Sequence, residues 1–168
     1  DMAFTQKYII IMDLPCVFDM DAARRGVSLP YRWKEDYPAR LGLLPRDGGA
    51  ADVVWIDIDP CFIFHPLNAY DDEHGRVVFD ACVHPKMFAS TTNGPGEGKP
   101  RLERWILYPD SGAALHDVID DRPHEFPRHN ETLEGLPGRY GYTSNLDYGG
   151  PSTNLVKVDL KSGTCIEH

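Results

Sequence analysis

A chain of 168 residues, 42% hydrophobic and 26% charged, can bury one ordinary core and is too apolar for a disordered tail. Its formal net charge of −9, with no basic run beyond the isolated pair Arg24 and Arg25, argues against nucleic acid as a partner, because phosphate binding calls for clustered cations. Cys16, Cys61, Cys82 and Cys165 form no CxxC pair and no short zinc spacing, so they read as reduced thiols of a cytoplasmic protein.

The longest apolar stretch near the start, residues 8–12, is far short of the ~20 residues that span a bilayer. It lacks the basic flank and small-residue cleavage site of a signal peptide. Asp1 falls within what looks like the lead-in to a strand, which suggests a piece of a longer chain.

Nearly every apolar run is short, rich in β-branched or aromatic residues and closed by Gly, Pro or Asp, which predicts an all-β fold. In chain order, strands are expected over residues 7–12, 39–44, 53–58, 62–65, 76–83, 102–107, 114–119, 139–143 and 155–160. No segment holds a 3.6-residue apolar period for three turns, and residues 20–31 have room for at most a short helical turn. Residues 85–100 read as a mobile glycine-rich insertion, and residues 121–138 as a loop carrying groups suited to chemistry.

A weak repeat runs through the chain. A strand followed by a polar turn ending Ser111-Gly112 recurs as a strand ending Ser162-Gly163 and, less closely, as residues 40–49 ending Gly48-Gly49. Each copy precedes another strand and so marks a hairpin. Propeller blades of four strands recur at roughly this spacing. Any antiparallel meander also repeats strand and turn, so a sandwich or open barrel stays open beside the propeller.

The most informative segment is residues 60–70. An apolar run with aromatics at Phe62 and Phe64 ends on His65, and Pro66 behind it is expected to stop the ladder. A neutral imidazole where a buried strand meets a cavity suits a transition metal, although a lone histidine is more often a core or loop residue. Phe62, Phe64, Tyr70 and Tyr142 are first of all packing residues, some of which could line an apolar tunnel. His74 belongs to a polar turn, and His84, His116, His124 and His129 read as loop or strand-edge residues. A zinc site from His124, Glu125 and His129 is disfavoured, because Pro123 and Pro127 break the helix that such spacing needs.

Five segments in order resemble the carotenoid cleavage oxygenases, a family that also holds stilbene-cleaving dioxygenases and the retinal pigment epithelium isomerase. Residues 3–10 are similar to the strand that follows a histidine ligand in that family. Residues 38–46 resemble its PARIGVLPR segment, and residues 61–70 its CFVFHxxNAY segment. Residues 125–128 and 139–142 match EFPR and RYGY.

The resemblance implies two to three blades of a seven-bladed β-propeller, with residues 1–168 as the central segment of one propeller domain. It implies iron(II), Fe(2+), on the propeller axis, held by four histidines of which only His65 falls here. The second ligand would immediately precede Asp1, the first would lie upstream of it, and the fourth downstream of His168. Glu125 matches a glutamate that accepts from the free ring N–H of a ligand, which fixes the tautomer and raises its basicity. The pairing expected here is His65 with Glu125.

The implied reaction is cleavage of a conjugated C=C bond of a carotenoid or apocarotenoid by O2, giving two carbonyl products. A lignin-type stilbene is the nearest alternative substrate, and a non-catalytic β-rich interaction module the rival from another class. Missing propeller segments are the implied partners. Peripheral membrane contact, where it occurs, would run through regions outside this chain.

Overall fold

The structure is a computed structural model that describes residues 2–90, 97–146 and 154–168. The chain begins with β1 (Ala3–Phe4) and β2 (Tyr8–Asp13). It then leaves the sheet through a ribbon of β3 (Cys16–Phe18) and β4 (Tyr31–Trp33), with the one-turn helix α1 (Met20–Arg24) between them. Asp19 starts that helix by accepting from the Ala22 N–H at 2.9 Å. The chain returns as β5 (Ala39–Pro45) and β6 (Val54–Ile58).

A second run follows: β7 (Phe62–Asp71), β8 (Val77–His84), β9 (Arg101–Tyr108) and β10 (Ala113–Asp120). A third comprises β11 (Glu125–His129), β12 (Tyr140–Ser144), β13 (Leu155–Asp159) and β14 (Thr164–Glu167).

Each run closes into its own four-stranded antiparallel sheet, ordered β1-β2-β5-β6, β7-β8-β9-β10 and β11-β12-β13-β14. These meanders stack face to face. β8 is buried along its whole length, because sheets cover both of its faces. Val77, Phe79, Ala81 and Val83 pack with Leu41, Leu43 and Ile56 of the first sheet. Cys82 looks the other way, toward Val156 and Val158 of the third. That alternation is the period-two register of a strand, and it explains why no solvent-exposed position interrupts the run.

An arginine held by an ion pair within the second sheet ties that sheet to the third. Arg104 donates Nε–H and Nη2–H to Asp80, both at 2.7 Å, and Nη1–H to the Leu160 carbonyl at 3.2 Å. Asn68 adds a second tie, donating to the Leu136 carbonyl at 2.9 Å and accepting from the Gly135 N–H at 3.2 Å.

All nine expected strands occur, with shifted ends. The repeat marks equivalent places in the three sheets, the hairpins β5–β6, β9–β10 and β13–β14. Gly112 and Gly163 close theirs at φ +67° and +72°, while Gly49 sits at φ −121° in a longer connection with a 3-10 turn.

Two expectations need correction. Pro66 does not end its strand, which continues to Asp71. β7 is the edge strand of its sheet, and Pro66 sits at an irregularity of the β7–β8 ladder, so its missing N–H leaves no rung broken. Residues 121–138 are not all loop: they contain β11 and a 3-10 turn at Glu131–Leu133. Here period two is present but carried by Glu125 and Pro127 facing inward, so the pattern is not apolar. Strands β1, β3, β4 and β14 are too short or too polar to have stood out. Of the glycine-rich insertion over 85–100, residues 91–96 lie outside the described residues.

Candidate metal-ligand site on the inner strands

β1, β7 and β11 are the first strands of their sheets, and β7 packs against both of the others. In a regular strand Ile63, His65, Leu67 and Ala69 would share one face. Instead Ile63 and Ala69 belong to the core between the first two sheets, and Leu67 to the core between the second and third. Two register shifts account for this, one between Ile63 and Pro66 and one between Pro66 and Asn68. Each extra residue turns the strand over, and the second restores it. His65 lies in the interval that is turned toward the third sheet.

β11 is irregular in the same way. Its pairing with β12 shifts between Glu125 and Arg128, and Phe126 within the shift has φ +50°. A left-handed phenylalanine is costly and persists only where its surroundings hold it. Here the Phe126 N–H donates to Glu125 Oε2 at 2.6 Å, and its ring lies 5.3 Å from that of His65.

Both irregularities converge on one contact: His65 Nδ1 and Glu125 Oε2 are 2.6 Å apart. The Glu125 side chain is 3% exposed and that of His65 32%. Burial alone would push the Glu125 carboxyl up. Hydrogen bonds from His84, the Phe126 N–H and His65 outweigh it and hold the group below its ordinary value. The carboxylate only accepts, so Nδ1 carries the proton of this contact, and in the neutral ring that tautomer leaves the lone pair on Nε2. Nε2 hydrogen-bonds to no described residue. His65 lines a cavity of about 600 Å³ whose other walls include Met2, Ala3, Leu67 and Phe126 as well as His129, Glu131 and Glu134.

This donor set fits one ligand of a transition metal with its orienting carboxylate, and no more than one. Among the described residues no group of three or more His, Cys, Asp or Glu side chains could hold a metal ion. His124 and Glu125, though adjacent, serve different contacts: His124 Nδ1 meets Thr143 Oγ1 at 2.6 Å and its Nε2 lies 3.2 Å from Asp120 Oδ1. His129 lies 3.2 Å from Glu134. His74 is exposed in its turn, and His116 stacks on Trp105 while meeting buried Glu103 at 2.6 Å. The aromatic ring on the cavity is Phe126. Phe62 and Phe64 pack edge to face on each other.

One member of the constellation was not foreseen. His84, read as a loop or strand-edge residue, ends β8 with its side chain 1% exposed and its Nε2 2.8 Å from Glu125 Oε1. The signal was available: a histidine closing a run buried on both faces must find a polar partner.

Four-stranded meanders stacked face to face are the blades of a β-propeller, here with a bulge-mounted imidazole and carboxylate on the first strands of two adjoining sheets. The chain belongs to the retinal pigment epithelial membrane protein family, which it matches over residues 1–167. It is 43% identical over 147 residues to a carotenoid cleavage oxygenase of Mycobacterium tuberculosis, covering 81% of this chain and 29% of that protein. It is 31% identical to the carotenoid 9,10(9',10')-cleavage dioxygenase 1 of Phaseolus vulgaris, covering 95% and 30%. Among solved structures, that of a cobalt-substituted Synechocystis ACO superposes with a TM-score of 0.83 at 25% identity, over all of this chain and 37% of that one. The three sheets are therefore three blades of a seven-bladed propeller. The chain spans less than a third of the length of these two curated relatives.

Proposed function

We propose that residues 1–168 are the central segment of one propeller domain in a non-haem iron(II) dioxygenase that cleaves a conjugated C=C bond of a carotenoid or apocarotenoid with O2, giving two carbonyl products. The observation that carries this reading is the His65 imidazole, which lines a cavity with Nδ1 engaged by Glu125 and Nε2 bonded to no described residue. The relatives' names favour a carotenoid over a stilbene.

In this reading His65 would hold the iron through Nε2, and the other ligands come from segments outside this chain. Met2 and Ala3 line the same cavity, so chain upstream of them has direct access to it. The iron, when bound, supplies a site for O2 and the electrons that activate it. Glu125 keeps the Nδ1 proton on the far side of the ring, fixes the ring plane and makes Nε2 a stronger donor. Phe126 walls the imidazole from one side and narrows the access of water. Cytoplasmic residence suits four free thiols. No described helix is long and apolar enough to cross a membrane, and any peripheral membrane contact is assigned to segments outside this chain.

The test is His65→Ala in the full-length protein that carries this chain. Bound iron is measured by metal analysis and cleavage by the loss of an apocarotenal's absorbance. Both should fall to background, since one lost ligand of a few is not replaced. Normal iron content with normal turnover would make His65 a structural residue.

A further inference from the structure

Cys82 of β8 faces the third blade, and two residues further along, the strand ends on the same side with His84. A histidine only 1% exposed carries a cost, and here one ring nitrogen, Nδ1, is buried with no partner among the described residues. The other, Nε2, is fully used. It lies 2.8 Å from Glu125 Oε1, the oxygen that His65 leaves free. Because a carboxylate only accepts, Nε2 bears the hydrogen of this contact. Glu125 is thus gripped from both sides, by His65 and the Phe126 N–H on Oε2 and by His84 on Oε1.

We propose that His84 is a positioning residue of this site: its Nε2–H on Glu125 Oε1 fixes the carboxylate in the rotation from which Oε2 meets His65 Nδ1. Two anchors on one oxygen define a position, but a carboxyl group hinged there still swings about its last bond. An anchor on the second oxygen removes that freedom. His84 and His65 come from adjacent strands of one blade, paired through Phe62 and His84, whereas Glu125 comes from the next. The arrangement therefore also sets the spacing of the two blades at the site. The inference rests on the reading of His65 as a metal ligand.

Three variants of the full-length protein test it: His84→Leu, His84→Gln and His65→Ala. Iron(II) affinity is read by competition with a chelator, and ligand geometry by the electron paramagnetic resonance spectrum of the iron–nitric oxide adduct. Leucine keeps most of the volume and loses the donor. Affinity should fall about tenfold, the low end for an outer partner of a metal ligand, and the spectrum should shift. Glutamine, whose amide nitrogen reaches about as far as Nε2, should restore affinity to within about twofold and return the spectrum.

A folded His84→Leu with wild-type affinity and spectrum overturns the proposal. If His84→Leu does not fold, His84→Asn decides, because its shorter amide cannot reach Oε1. The same tenfold loss is then expected, and wild-type affinity overturns the proposal. His65→Ala separates the two levels. Iron retained there defeats the metal reading and this inference with it; iron lost there but bound normally by His84→Leu defeats the role of His84 alone.

Discussion

The inner strands β7 and β11 and the outer hairpins β9–β10 and β13–β14 solve opposite problems with the same backbone. The hairpins repeat: Gly112 and Gly163 close equivalent turns, their N–H groups donating to the Tyr108 and Asp159 carbonyls at 2.9 and 2.8 Å. The inner strands break the repeat with irregular registers and a proline in each, Pro66 and Pro127. Apart from one register shift in β9–β10, between Val118 and Asp120, the pairing of the hairpins is regular, burying side chains by alternation and tying the blades together. Irregular pairing takes one histidine and one glutamate out of that alternation and aims them at each other across two blades. Stability and candidate chemistry are thus divided between outer and inner strands, and substitutions should separate them.

The largest effect should come from the regular part. Arg104→Met leaves Asp80 buried without its partner, and burial already pushes that carboxyl up against the pull of Arg104. Breaking such a pair from one side costs about 3–5 kcal/mol. In the full-length protein a urea melt should show a loss of that order, while the folded variant binds iron with ordinary affinity. Adding Asp80→Leu should recover much of the loss, since an apolar replacement removes the stranded charge. A folded Arg104→Met with impaired iron binding but normal stability would erase the division.

Glu125→Gln should behave in the opposite sense. The amide keeps an oxygen for the His65 N–H and gives up the charge that both histidines address. Iron affinity should drop by about 10–100-fold, roughly 1.4–2.8 kcal/mol, with a smaller change in the urea midpoint. Chelator competition measures the first and denaturation the second. Unaltered affinity would mean that the contact with His65 has no bearing on the metal.

Legibility in the sequence followed the same division. Strand, turn and Ser-Gly recur at blade spacing, so the hairpins could be read from residue types alone. His65 could be singled out from its own strand, but Glu125 could be named and the two paired only by resemblance, because their juxtaposition depends on where extra residues enter the ladders. A bulge leaves no periodic trace. Pro66 was the one visible mark of it, and it reads equally well as a strand end. β11 was hidden because its inward positions are a carboxylate and a proline. His84 was hidden because its partner lies 41 residues away in another blade.

A paired glycine test sharpens the account of the hairpins. Gly112 at φ +67° needs the left-handed region, where a side chain costs about 1–2 kcal/mol. Gly49, at the matching place in the first blade, has φ −121°, and an added Cβ meets only Asp52 Oδ2 at 3.8 Å. Gly112→Ala should therefore lower stability by about 1–2 kcal/mol, and Gly49→Ala by less than about 0.5 kcal/mol. Equal losses would show that the repeat seen in sequence demands the same turn geometry in all three blades.

The smallest expected effect tests whether a proline makes the inner bulge or merely occupies it. Pro66 pairs opposite Ala81 between the two register shifts of an edge strand, where an N–H has no neighbour to serve. Restoring that N–H by Pro66→Ala gains no ladder bond. It frees the unfolded chain at this residue, a loss of stability of about 0.4–1 kcal/mol. It also frees His65, whose backbone is held near the extended region by the ring that follows it. That freedom is opposed by the hydrogen bond to Glu125 and by Leu67, which packs in the core shared with the third blade. Since these contacts remain, iron affinity should fall by only about two- to threefold. If affinity instead collapses as far as in His65→Ala, the strand has slipped back into regular register and turned the imidazole away. The proline, and not the packing around it, would then be what holds the site open.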